Sequence, residues 1–159
     1  MQNYGVLLCL FIGFFFACQG GGSNAASDGS FSDEQKQAQQ ALWDDLMAVH
    51  DGIMPKISQI HELSRQLRNH AETAENLSSE VMEKILATVE SLDQADEGMF
   101  SWMNNLRQLK PLQDTEKHED ILTYLKKEQA TIAEVKRNML NSIEKGTLLV
   151  EELGITNQQ

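Results

Sequence analysis

Apolar residues return every three or four positions through most of this chain, and that spacing confines it to a helical architecture. Across residues 33–69, Leu42, Leu46, Val49, Ile53, Ile60, Leu63 and Leu67 keep the rhythm, interrupted only at Lys56. A second segment, 78–109, carries Val81, Ile85, Val89, Leu92, Met99, Trp102, Leu106 and Leu109. A third, 116–153, carries Ile121, Leu125, Ile132, Val135, Met139, Ile143, Leu149 and Leu153. A helix turns once in about 3.6 residues, so each set forms a single apolar stripe. No run of alternating Val, Ile and Thr reads as a strand.

Local signals mark the helix ends. Ser32 followed by Gln35 is a capping-box pair, with Asp33 and Glu34 suited to the positive end of the first helix. Gly52 and Pro55 predict a kink, because proline removes a backbone donor and crowds the preceding turn. Asp114 or Thr115 is the expected cap of the third helix, and Gly154 its expected end. Pro111 stands where the second helix is expected to stop. The connectors, 69–77 and 110–115, are short enough to force antiparallel neighbours. The expectation is therefore an all-α fold: an elongated, up-down-up antiparallel three-helix bundle of coiled-coil type over residues 32–154. A coiled-coil oligomer is the alternative, and residues 155–159 are a short tail.

The first residues read differently. Val6 to Ala17 is an apolar run broken only by Gly13. It is too short to span a bilayer, which takes roughly 20 residues, but it suits the hydrophobic region of a signal peptide. Ala17-Cys18 follows, then "QGGGSNAASDGS". The small residue and cysteine resemble the lipobox of bacterial lipoproteins, which implies cleavage after residue 17 and acylation, palmitate included, at Cys18. Phe15 and Phe16 replace the usual Leu and small residue, and the n-region has no Lys or Arg. Residues 18–31 then act as a Gly/Ser-rich tether, reaching about 20 Å if such chains span roughly 5–6 Å times the square root of their length. Cys9 leaves with the signal, so the mature chain has no second cysteine for an internal disulfide.

Charge restricts the partners. The chain has 24 acidic and 13 basic residues, a net charge of −11, and no charged side chain precedes Asp28. Such a surface repels phosphate backbones and anionic headgroups, so nucleic acid is excluded as a partner and membrane attachment falls to the lipid.

One stretch, "LWDDLMAVHDGIMPKISQIH", concentrates functional side chains. Trp43, Met47, His50, Met54, Ile57 and His61 share a face that flanks the apolar stripe. With the first turn centred near residue 73, antiparallel pairing sets Met47 level with Met99 and Trp43 level with Met103, with Tyr124 at a similar height. One layer would then gather Trp43, Met47, His50, Met99, Trp102 and Met103, and together with Met54 near the kink these form the expected binding surface, which methionines let repack around a partner. The same layer also admits a soft-metal or haem reading, copper above all, with Met47, His50, Met99 and Met103 as ligands. Nothing marks an enzyme. His50 and Asp51 are adjacent and splay about 100° apart on a helix, and there is no phosphate loop, zinc spacing or nucleophile elbow.

The signal, the lipobox and stretches such as "VHDGIMPKISQI", "MFSWMNNLRQLKP" and "YLKKEQATIAEVKRNMLNSIEKGTLLVEEL" together resemble a group of small helical lipoproteins from Bacteroidota, some labelled "viral A-type inclusion protein". The resemblance implies the envelope of a Gram-negative bacterium and a helical fold, and it carries no activity with it. A periplasm-facing outer-membrane lipoprotein is expected, since no acidic residue follows Cys18 before Asp28. Its partner would be another envelope protein or a second copy of itself.

Overall fold

The structure, a computed structural model, describes residues 31–155. The expected signal peptide, Cys18, most of the expected tether and the end of the C-terminal tail lie outside these residues. All regular structure among them is helical: α1 (Asp33–Ile53), α2 (Ile57–Thr73), α3 (Ser79–Asn105), α4 (Leu109–Thr115) and α5 (His118–Glu152), with a 3-10 turn at Met54–Lys56 joining α1 to α2. None of these helices is long and apolar enough to cross a membrane.

Several end signals act as expected. The Ser32 hydroxyl accepts from the Gln35 N–H at 3.3 Å while the Gln35 side chain accepts from the Ser32 N–H at 3.1 Å, a complete capping box. At the other end Gly154 takes a left-handed conformation, φ +62°, open to glycine without steric cost. The N–H groups of Gly154 and Ile155 then bond Glu151 O and Val150 O, a Schellman closure of α5. The expected kink is the 3-10 turn. Met54 N–H still reaches His50 O and Ile57 N–H reaches Met54 O, so the backbone passes Pro55 with little loss of bonding.

The turn also explains Lys56. The buried seam of this composite arm runs through Gln39, Leu46, Ile53, Ile60 and Leu67, a strict seven-residue repeat. Two rows flank it. Leu42, Val49 and Leu63 line one side, where Leu63 meets α5 beside Gly146; Lys56 shares that row but is exposed. The other holds His50, Ile57 and Ser64 and faces α3, through a His50–Trp102 ring contact and a Ser64–Asp93 hydrogen bond. An arm with two neighbours needs this broad apolar arc.

Pairings between elements give the chain directions. His61 with Asp96 and Ser64 with Asp93 set α3 against α2. Trp102 with Glu128 and Lys84 with Glu152 set α3 against α5. Gln39 with His118 and Leu42 with Gln129 run α1 alongside α5 in the same sense. At its 35 residues α5 is about 50 Å long at ~1.5 Å per residue.

Three expectations are corrected. The segment 110–115 is not a connector: α3 stops at Asn105 and α4 begins at Leu109, burying Leu109 and Leu112. Pro111 is the third residue of α4, where a backbone N–H has no intrahelical partner to lose. Neither Asp114 nor Thr115 caps α5, which starts at His118 behind Lys117 without a side-chain cap. Asp114 pairs with Lys110, and the Thr115 hydroxyl donates to Pro111 O. Finally, α2 continues to Thr73, so the turn falls at residues 74–78, later than the centre near residue 73. The register of α3 against the first arm slips accordingly.

At Gly146 an added Cβ would come within 3.2 Å of Leu63 and 3.3 Å of Leu92, so α2, α3 and α5 close onto one another there. Gly98 has nothing within 4 Å of that position. Gly98→Ala should therefore stabilise the domain by about 1 kcal/mol, the helix-propensity difference. Gly146→Val should destabilise it by about 2 kcal/mol through overpacking. Urea unfolding midpoints should move in opposite directions.

Candidate functional site

The corrected register rebuilds the aromatic and methionine layer. His50 and Trp102 meet with ring centroids 5.7 Å apart and planes tilted by 33°. Met99 lies one turn before Trp102 on α3, which runs against α1, so it stands level with Ile53 and Met54. Met47 does not share that level, contrary to the sequence expectation; it lies one turn on the other side of His50. The difference follows from the late turn at residues 74–78.

Each expected residue has a distinct environment. Met99 is fully buried and Trp102 is 5 % exposed. Trp43, Met47 and Met54 are half-buried and pack against the core, Met54 as the first residue of the 3-10 turn. Met103 lies exposed at the edge, as does neighbouring Phe100, at 37 % and 41 %. The stripe is thus not wholly consumed within one chain. Cys18 lies outside the described residues.

Polar atoms around the layer are tied with one exception. The Trp102 Nε1–H donates to Glu128 Oε2 on α5 at 3.0 Å. One turn earlier on α5, the Tyr124 hydroxyl accepts the Arg107 backbone N–H at 2.8 Å, and Arg107 also reaches Glu116. Burial pushes the Tyr124 phenol above its ordinary pKa, against the opposing pull of the Arg107 N–H. The exception is His50. Its Nδ1 lies 2.8 Å from the exposed Asp51 carboxylate, but its Nε2 is buried and has no hydrogen-bond partner among the described residues. A buried polar atom in that condition costs about 1–3 kcal/mol, and such atoms are rare.

Two polar clusters went unnoticed in the sequence. Fully buried Gln39 donates to His118 Nδ1 at 3.0 Å and accepts from Gln113 at 2.9 Å, binding α1 to α4 and α5. Phe31 leans on the same His118 ring at this end of the domain. Across α2 and α3, Ser64 donates to Asp93, Arg68 holds both, and His61 pairs with Asp96. These line an open groove of about 470 Å³. Ser64 donates its proton to the Asp93 carboxylate and accepts from Arg68, which ties α2 to α3. The visible signal was a polar residue on a seven-residue row, at Gln39 and at Ser64.

Among the described residues no three His, Cys, Asp or Glu side chains converge as metal ligands. Comparison with family models, with curated proteins and with solved structures finds no match to this chain.

Trp102 should matter to stability through its hydrogen bond as well as its area. Trp102→Phe strands the half-buried Glu128 and should cost about 2 kcal/mol, in the range for bonds to charged groups. Trp43→Phe, at a half-buried position with no such bond, should cost under about 1 kcal/mol. Paired denaturation curves would separate the two.

Proposed function

We propose that this chain is a lipid-anchored envelope protein that acts by binding, with no catalytic chemistry of its own. The observation that carries the reading is the apolar stripe on α3, which leaves Phe100 and Met103 in solvent beside the buried Met99 and Trp102. Exposed large apolar side chains that adjoin a methionine-rich layer are suited to docking, because methionine repacks around varied shapes.

In this reading the domain is an elongated, coiled-coil-like three-helix bundle, carried on the lipidated Cys18 by the tether of residues 18–31. The likeness to the Bacteroidota lipoproteins supports an outer-membrane lipoprotein facing the periplasm. Entry of the tether beside His118 supports a standing orientation with the α4 end toward the membrane. A lipoprotein cysteine carries several acyl chains, enough for stable attachment where a single chain is marginal. The net charge of −11 disfavours nucleic acid, and it also sets copies against one another. Another envelope protein is therefore the preferred partner, ahead of self-association.

Two measurements test this. Cys18→Ser should move the protein from the membrane to the soluble fraction and abolish labelling by radioactive palmitate; membrane retention without label would refute the anchor. For the docking face, a photocrosslinking residue at Phe100 or Met103 should trap one discrete adduct in intact cells. The same residue at Leu148, exposed on α5, should trap none. Equal adducts at all three positions, or none at any, would refute that face.

A further inference from the structure

The unpartnered nitrogen of His50 points to a chemical role that the binding reading does not use. Its ring is only 13 % exposed and occupies the row of α1 that faces α3. A carboxylate can only accept, so the Asp51 contact at 2.8 Å places the ring proton on Nδ1. In the neutral ring Nε2 then presents a lone pair toward the buried layer. That is the arrangement of a metal-ligating histidine, whose second nitrogen donates to a carboxylate that orients the ring and raises its basicity.

The neighbours decide which metal would suit. Met54 lies one turn beyond His50 on the same face, half-buried against the core. Met99 enters from α3, fully buried, one turn from the Trp102 ring that touches His50. Imidazole with two thioethers is a soft donor set that selects Cu(I) over hard divalent ions. A single ion also fits better than haem, because Trp102 already packs against the imidazole and leaves no slot beside it for a flat macrocycle.

We propose that His50 Nε2, Met54 and Met99 form a Cu(I) site, with Asp51 as the residue that positions the imidazole. Binding is a simple association of a monovalent cation with neutral donors, with no change of oxidation state. The site is independent of any protein partner, so its failure would leave the docking face untouched.

Thiols bind Cu(I) tightly, so the test uses the full chain in detergent with Cys9 and Cys18 both replaced by serine. Cu(I) is titrated anaerobically against a colorimetric chelator. One ion per chain is expected. His50→Leu should weaken it by ~100-fold or more, and Met54→Leu or Met99→Leu by ~10-fold each, as expected for soft donors replaced by hydrocarbon. Asp51→Asn, at an exposed position that the fold does not need, should weaken it by about 10-fold while leaving the copper-free melting temperature unchanged. Met82→Leu, remote on α3, should bind as the parent does. Absence of stoichiometric binding, or full affinity in His50→Leu or in Asp51→Asn, would overturn the site. Should His50→Leu fail to fold, Asp51→Asn decides alone.

Discussion

The close approach at Gly146 governs much of this structure. Where Leu63 and Leu92 meet the bare backbone of α5, three elements come nearer than side chains would otherwise permit. Around that point the buried side chains are mostly apolar, with Ile60, Leu67, Ile85, Val89, Met139 and Ile143 among them. Toward the α4 end the contents change to Trp43, Met47, Met99 and Trp102, larger and more adaptable side chains. Along α3 the larger side chains begin two to three turns from this tight waist, at Met99 and Trp102, given about 3.6 residues per turn. The waist also fixes the relative height of the arms. The pairings of Ser64 with Asp93 and His61 with Asp96 lie just beyond it and lock the same register.

That register is the step at which sequence reasoning failed, and the cause is small. Helix existence, the capping box at Ser32, the break at Pro55 and the glycine closure at Gly154 are all local, set by residues within one or two turns of each other. They could be read directly. The height of Met99 against the first arm depends on where α2 ends, and the four extra residues from His70 to Thr73 carry no strong signal for or against helix. A shift of about two turns was enough to exchange Met47 for Met54 as the residue level with Met99. The α4 helix was missed for a related reason. Pro111 was treated as a stop signal, although proline is tolerated in a first turn, and Leu109 with Leu112 already had helical spacing across it.

Reading Lys56 as a flaw in the apolar pattern was a milder error of the same sort. An arm packed on two neighbours carries three adjacent rows, and one of them can afford a lysine where the chain passes through a 3-10 turn. The central row never breaks. This is also why the layer around His50 could be anticipated in composition, while its membership could not. Composition depends on which residues share a face, membership on how two faces slide past one another.

Polar residues on the arm's buried rows show the difference between architecture and function most clearly. Gln39, His50 and Ser64 all sit where an aliphatic side chain would pack at lower cost. Gln39 is matched by Gln113 and His118, which fixes α4 and α5 against α1; Ser64 is matched by Asp93 and Arg68, which fixes α3 against α2. Part-buried hydrogen bonds of this kind select one register among several that hydrophobic contact alone would accept. His50 makes no comparable bond across the interface. Among the described residues its one side-chain hydrogen bond is to the next residue in sequence, so it adds nothing to the registration that the other two provide. A leucine would serve packing better there, and a polar pair would serve specificity better. What imidazole offers that neither can is a directed lone pair in a dry, thioether-lined layer, and that distinguishes His50 from the rest of the arm.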